Sequence, residues 1–277
     1  MIVHAAIHGL GPAAGRRPLT GDVPAALTAI GGIPLLGHAL DRLAVQGVHR
    51  AVLCAHHHRA VLAAYLSSRG TGPDAEILAE PEPLGSAAAL AVAAARLGDA
   101  PFYAVAADQV WFDGFRPALA RLAAKWDDAR MDALLLVHPV VRAIGYDGRG
   151  DVFLDPSGRA RPRVGGEIAG HAACGVAVLH PRILAGLAGP DVDLAEMIAA
   201  VAGRGRLYAV VHDGEWCRAP DAEAAQALEV AIGYRPVPAT EAERLVPRPG
   251  FAAADPAAFA AAPARRRMLR PGARRPL

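Results

Sequence analysis

Short apolar runs alternate along the chain with longer segments in which apolar residues recur every three or four positions. The first kind reads as buried strand, the second as a helix with one face toward a core. Runs at Ile2 to Ile7, Ala51 to Cys54, Ala75 to Leu78, Pro101 to Ala107, Ala133 to His138, Ala172 to Leu179 and Leu207 to Val211 predict strands. Helical spacing covers Pro34 to Gln46, where Leu35, Leu36, Ala39, Leu40 and Leu43 share a face and Gly47 marks the stop. It returns over Arg59 to Ser67, Ala87 to Leu97, Phe115 to Lys125, Leu194 to Ala202 and from Pro220 through Ala231. Between Asp151 and Val164, two apolar stretches flank the turn Asp155-Pro156-Ser157-Gly158, which is a hairpin pattern. Strand, helix, strand, helix is the rhythm of an α/β fold, a Rossmann-like, mostly parallel sheet with helices on both faces.

The rhythm stops at Tyr234. Residues 234–277 are rich in Pro, Ala and Arg, and prolines recur too often for a long helix or strand. The expected organisation is a folded domain over 1–233 and a largely disordered tail over 234–277. Arg265, Arg266, Arg267, Arg270, Arg274 and Arg275 would suit an anionic surface, but a solvated tail is the simpler reading.

At 277 residues and 53% hydrophobic composition, the chain can bury one substantial core. No apolar run reaches the length of a membrane span and the start lacks a signal-peptide pattern, so a cytoplasmic protein with no membrane partner is expected. Cys54, Cys174 and Cys217 lie far apart and read as reduced thiols. A net charge of +2 is too small to argue for nucleic acid, and none is expected as a partner. One detail of composition constrains chemistry sharply. Lys125 is the only lysine, and it falls at the far end of a predicted helix.

Chemistry concentrates where strands end. After Ile7 the chain enters a glycine-rich stretch, Gly9, Gly11 and Gly15, followed by Arg16-Arg17-Pro18-Leu19-Thr20. Glycines after a strand let backbone N–H groups approach phosphate. A dinucleotide fingerprint would need a helix to start on these glycines, and Pro18 and the Gly21-Asp22-Val23-Pro24 turn break one. His56, His57 and His58 follow the second strand, but consecutive residues point in different directions and make poor joint ligands. Gly85 and Ser86 open the helix Ala87 to Leu97, with Ser86 suited to the N-cap. Asp108 stands at the carboxyl end of the Pro101 to Ala107 strand, where open α/β sheets place ligands. It reads equally well as a cap of the following turn.

The order of these elements resembles the sugar-1-phosphate nucleotidyltransferases, in particular the N-acetylmuramate-1-phosphate uridylyltransferase and mannose-1-phosphate guanylyltransferase branch. The resemblance rests on the glycine loop, Arg17-Pro18-Leu19-Thr20, Gly32-x-Pro34-Leu35-Leu36, Glu80 to Ser86, Val105-Ala106-Ala107-Asp108 and Trp216 to Pro220. It covers about Ile2 to Ala231. It implies nucleotide binding by Gly9, Gly11, Gly15, Arg17, Gly85 and Ser86, and a magnesium ion at Asp108. It also implies a reaction in which a sugar 1-phosphate attacks a nucleoside triphosphate and releases pyrophosphate.

The same resemblance exposes departures. The glycine loop is irregular. The family's two lysines correspond to Ala25 and Ile33, and its second magnesium aspartate corresponds to Arg218. Losing one preorganised charge contact typically costs ~10²–10³ in rate. The favoured expectation is therefore a weak or silent relative that binds a nucleoside triphosphate or nucleotide sugar, with sugar phosphate and protein partners left open. The alternative is an active sugar-1-phosphate nucleotidyltransferase with a non-standard site that uses magnesium.

Overall fold

The computed structural model describes residues 1–9, 24–55, 58–80, 84–184, 194–218 and 222–233. In chain order, β1 (His4–His8) is followed by a short 3-10 turn (Ala25–Leu27), β2 (Ala29–Ile30), β3 (Ile33–Pro34) and α1 (Leu35–Val45). Then come β4 (Arg50–Ala55), α2 (Arg59–Arg69), β5 (Asp74–Ala79), α3 (Ser86–Leu97), β6 (Phe102–Ala106), β7 (Gln109–Phe112) and α4 (Ala118–Lys125). The second half holds β8 (Ala133–Pro139), β9 (Val152–Leu154), β10 (Ala160–Pro162), β11 (His171–Leu179), α5 (Leu194–Gly203), β12 (Leu207–Val211), β13 (Glu215–Arg218) and α6 (Ala222–Ala231).

The sheet is parallel where the chain begins and mixed where it continues. β1 lies between β4 and β6, parallel to both, and β5 extends the parallel edge beyond β4. β11 then runs antiparallel between β6 and β8, and β12 pairs parallel with β8. The β9–β10 hairpin attaches to β11 through His171 and Val152. The reversal of β11 departs from the simple parallel rhythm, because periodicity reports burial and not strand direction.

Side chains alternate across this sheet, as the two-residue period of a strand requires. Ala5, Ile7, Leu53, Val105 and Leu136 face a core closed by α1, α2 and α4. Ala6, Val52, Ala104, Leu135 and Leu179 face the opposite core, closed by α3 and α5. Both faces are covered, so β6 is buried along its whole length and reads in sequence as one apolar run. A smaller cluster, with Leu35, Val110, Cys217 and Leu228, packs α6 against the β7–β13 ribbon.

Several element bounds differ from the sequence expectation. α4 starts at Ala118, because the Asp113 carboxylate accepts the Ala118 N–H at 2.8 Å and opens the helix three residues after Phe115. α2 runs on to Arg69, where Gly70 in the left-handed region ends it. β7 and β13 had no strong periodic signal and form their own antiparallel pair. His58 sits in the left-handed region just before α2, and His56 and His57 lie outside the described residues. The tail expected over 234–277 also lies outside them. Among the described residues no helix is long and apolar enough to cross a membrane.

Candidate functional site

The carboxyl ends of β1 and β6 converge on one cavity. The Ala107 N–H donates to the His8 carbonyl at 2.8 Å and carries the β1–β6 ladder one residue past β6. Gly9 and Asp108 are thereby brought side by side. Gly9 has φ +73, in the left-handed region, and a Cβ built on it would stand 3.6 Å from Asp108 Oδ1. Space would allow a side chain there; the backbone conformation selects glycine.

α3 opens onto the same place. Gly85 occupies the cap position with φ −63 and ψ 157, and the Ala89 N–H donates to its carbonyl at 2.9 Å. Ser86 is the first helical residue and makes no cap bond, which corrects the expectation that its hydroxyl caps the helix. Glycine at the cap leaves the Ser86 side chain on the cavity wall.

From Asp108 the chain turns into β7, which pairs antiparallel with β13. The register sets Arg218 opposite Gln109, Cys217 opposite Val110 and Trp216 opposite Trp111. His8, Gly9, Ser86, Asp108, Gln109 and Arg218 all line one cavity of about 490 Å³. Asp151, Arg163 and Gly175 also line it, as do the apolar Leu90, Leu135, Leu179 and Ile198.

Of the residues named from the sequence, Gly9, Ser86 and Asp108 therefore share one cavity. Gly85 is exposed directly before Ser86. Gly11, Gly15 and Arg17 lie outside the described residues. His8, Gln109, Asp151, Arg163 and Gly175 join the cavity without a motif of their own in the sequence. Their positions follow from the β6–β7 turn and the reversed β11, neither of which has a sequence signature of its own.

The charges are unevenly deployed. Burial pushes the His8 imidazole down to about 4, so it is neutral at physiological pH, and its buried Nδ1 has no hydrogen-bond partner among the described residues. Asp151 is occupied structurally: Oδ1 accepts from the Tyr146 hydroxyl at 3.2 Å and Oδ2 from the Ala173 N–H at 2.8 Å. Arg163 likewise donates to the carbonyls of Gly150 at 2.8 Å and Gly165 at 2.7 Å.

This donor set does not fit the two-aspartate magnesium site that the resemblance implies. Asp108 supplies one carboxylate, Arg218, which the resemblance sets at the position of the second, lines the same cavity, and both Asp151 oxygens are committed to protein donors. Among the described residues no group of three or more His, Cys, Asp or Glu side chains could hold a metal ion. A guanidinium lining the same cavity opposes a divalent cation there and favours an anion.

A mostly parallel sheet with a cavity at its strand ends, bounded by a glycine turn and a helix N-terminus, is the α/β architecture that places ligands at strand ends. The family model for nucleotidyl transferases matches residues 14–150. The chain is 33% identical over 222 residues to the N-acetylmuramate alpha-1-phosphate uridylyltransferase of Caulobacter vibrioides, covering 78% of this chain and 91% of that protein. It belongs to the nucleotidyltransferase family. It is also 28% identical over 211 residues to a mannose-1-phosphate guanyltransferase of Aspergillus fumigatus, spanning 72% of this chain and 56% of that longer protein. Among solved structures, the fold matches the UTP-bound UGPase of Acinetobacter baumannii with a TM-score of 0.70 at 18% identity, covering 88% of this chain and 98% of that one. It matches a UDP-glucose pyrophosphorylase complexed with UDP-glucose with a TM-score of 0.68 at 14% identity, covering 84% and 99%.

Proposed function

We propose that this chain binds a nucleoside triphosphate or nucleotide sugar in the 490 Å³ cavity and turns it over weakly or not at all. The observation that carries this reading is Arg218, set opposite Gln109 and lining the cavity with Asp108. A guanidinium offers a fixed fork of donors to phosphate oxygens and needs no metal to bind them. It does not reproduce the coordination of a metal bridging two phosphates. The family membership and the identity to a sugar-1-phosphate uridylyltransferase support the ligand class. Ala25 supports the loss of turnover: it stands in the 3-10 turn where the resemblance implies a phosphate-reaching lysine.

Binding and turnover separate experimentally. The melting temperature is measured with UTP, GTP, UDP-glucose and GDP-mannose, each with and without magnesium, beside a continuous pyrophosphate assay. The expected result is stabilisation that grows with ligand concentration, as selective binding to the folded state demands. It should persist when magnesium is removed, and no pyrophosphate should appear with glucose 1-phosphate, mannose 1-phosphate or N-acetylmuramate 1-phosphate. Turnover by the wild type would establish an active nucleotidyltransferase with a non-standard site. The absence of both signals would leave no nucleotide function for the cavity.

A further inference from the structure

Three exposed cations from three segments gather beside β12, and none of them lines the strand-end cavity. Tyr208, the second residue of β12, is 2% exposed. The Arg130 guanidinium lies 5.5 Å from its ring centroid and donates through Nη2 to its hydroxyl at 3.4 Å. The Arg159 guanidinium lies 5.9 Å from the same centroid, and an antiparallel bridge joins Arg159 to Tyr208. Lys125 ends α4, and its Cε lies 4.0 Å from where a Cβ on Gly158 would stand, one residue before Arg159.

Among the described residues none of these three cations forms an ion pair. The carboxylates nearest in sequence shape turns instead. Asp155 Oδ1 accepts the Ser157 N–H at 2.8 Å, the Ser157 hydroxyl at 2.6 Å and the Arg159 N–H at 3.0 Å. Asp127 Oδ1 accepts the Ala129 N–H at 3.1 Å. The next arginines along are matched: Arg182 and Arg206 share Asp132 at 2.6 and 2.8 Å, and Arg182 also pairs with Asp128 at 3.1 Å. Both guanidiniums at Tyr208 can only donate, and together they pull its hydroxyl below the usual phenol range. Like charges gathered without a counter-charge repel one another and attract an anion.

We propose that Arg130, Arg159 and Lys125 form a second anion site, separate from the strand-end cavity, that takes the oxygens of a phosphate or pyrophosphate ion. Each guanidinium offers a planar fork of donors that matches phosphate geometry, and the ammonium adds a point charge. Tyr208 is the platform that holds the two arginines together, through its ring and its hydroxyl. Three positive charges from separate segments suit a multiply charged oxyanion better than chloride. β10 (Ala160–Pro162) runs directly from Arg159 to Pro162 and Arg163, which line the cavity. An anion bound at Arg159 therefore fixes one end of a short strand whose other end belongs to the cavity. The site stands whether or not the cavity takes a nucleotide.

The test is calorimetric titration with inorganic phosphate and with pyrophosphate, at constant ionic strength balanced with chloride so that screening is held fixed. Arg218→Gln removes the guanidinium of the cavity and serves as the background. On it are compared the pair Arg130→Gln with Arg159→Gln and a charge-matched control, Arg59→Gln with Arg116→Gln, which removes two exposed arginines elsewhere. The expected result is saturable binding in the background and in the control, weakened about 10-fold or more in the Arg130 and Arg159 pair, the scale of lost charge-assisted hydrogen bonds. The ion that binds more tightly tells whether one phosphoryl group or two spans the cluster, and either supports the site. By NMR, the Nε–H signals of Arg130 and Arg159, assigned from the single variants, should shift as phosphate is added to the background. Absence of saturable binding there overturns the proposal, as does equal weakening in the pair and the control. Arginine signals that do not move overturn it as well, even where the paired variant fails to fold.

Discussion

Gly9 and Asp108 meet at the carboxyl edge of the sheet, where a Cβ on Gly9 would come within 3.6 Å of Asp108 Oδ1. The contact is of ordinary van der Waals length. Gly9→Ala should therefore act through the backbone, whose φ of +73 costs an L-residue about 1–2 kcal/mol. Urea denaturation should show that loss with an unchanged m-value. UTP-induced stabilisation should weaken with it, since the turn sets how closely backbone N–H groups reach a phosphate.

A second expectation concerns acid. Burial holds His8 and His38 neutral, with each imidazole pushed down to about 4 from 6.5. The unfolded chain takes up these protons below 6.5 while the folded chain refuses them. Their contribution is thus intact above pH 6.5, is lost as pH falls toward 4, and changes no further below that. For His8 alone the loss is on the order of 3 kcal/mol. Denaturant titrations between pH 7.5 and 4 should show stability falling steeply in that window. His8→Leu should be flatter by up to about 1.4 kcal/mol per pH unit. An identical slope in the variant would show that His8 is already protonated, or solvated, in the folded state.

Much of this architecture was legible in the residues. Each long strand and helix announced itself by burial period, because both sheet faces are covered and the alternation at β1, β4 and β6 is almost wholly apolar. Asp108 was legible because a carboxylate directly after an apolar run marks a strand end. Gln109 was not: nothing in its neighbours reveals that β7 pairs with β13, or that Trp216 stands two register positions away and donates to it. Gly175 was hidden for the same reason, since its partner is 66 residues distant and on a strand whose direction no periodicity records. Ser86 was misplaced by one position because serine and glycine are both acceptable caps and only the backbone angles choose between them.

Gly175→Ala tests that packing directly. The added methyl would have to displace the Gln109 carboxamide or the Ala106 side chain, at 2.6 and 2.8 Å, on top of adopting φ +66. Overpacking of this kind costs about 1–3 kcal/mol, and the backbone term adds about 1–2. The variant should melt well below the wild type. Near-UV circular dichroism should report a changed Trp216 environment as its bond to Gln109 breaks. Wild-type stability would mean that the β7–β11 contact is loose enough to absorb a methyl group.

The last prediction concerns the charges that the family resemblance sets at Ala25 and Arg218. Ala25 is half-buried in the 3-10 turn, so a lysine there can bury its stem and carry its ammonium outward. Ala25→Lys alone should release no pyrophosphate, because Arg218 still opposes a metal beside Asp108. Arg218→Asp alone should make UTP binding depend on magnesium, by adding a second carboxylate to the cavity that Asp108 lines. Only the double change restores both the cation that neutralises phosphate charge and the second ligand. It should show pyrophosphate release that requires magnesium and exceeds the wild-type background, though well below a full site, since each missing contact is worth ~10²–10³ in rate. Continuous pyrophosphate detection on the wild type, both single variants and the double variant measures it, with UTP and GTP against a panel of sugar 1-phosphates. Strong wild-type turnover that Arg218→Asp abolishes would reverse the assignment, making Arg218 the cation that carries the reaction.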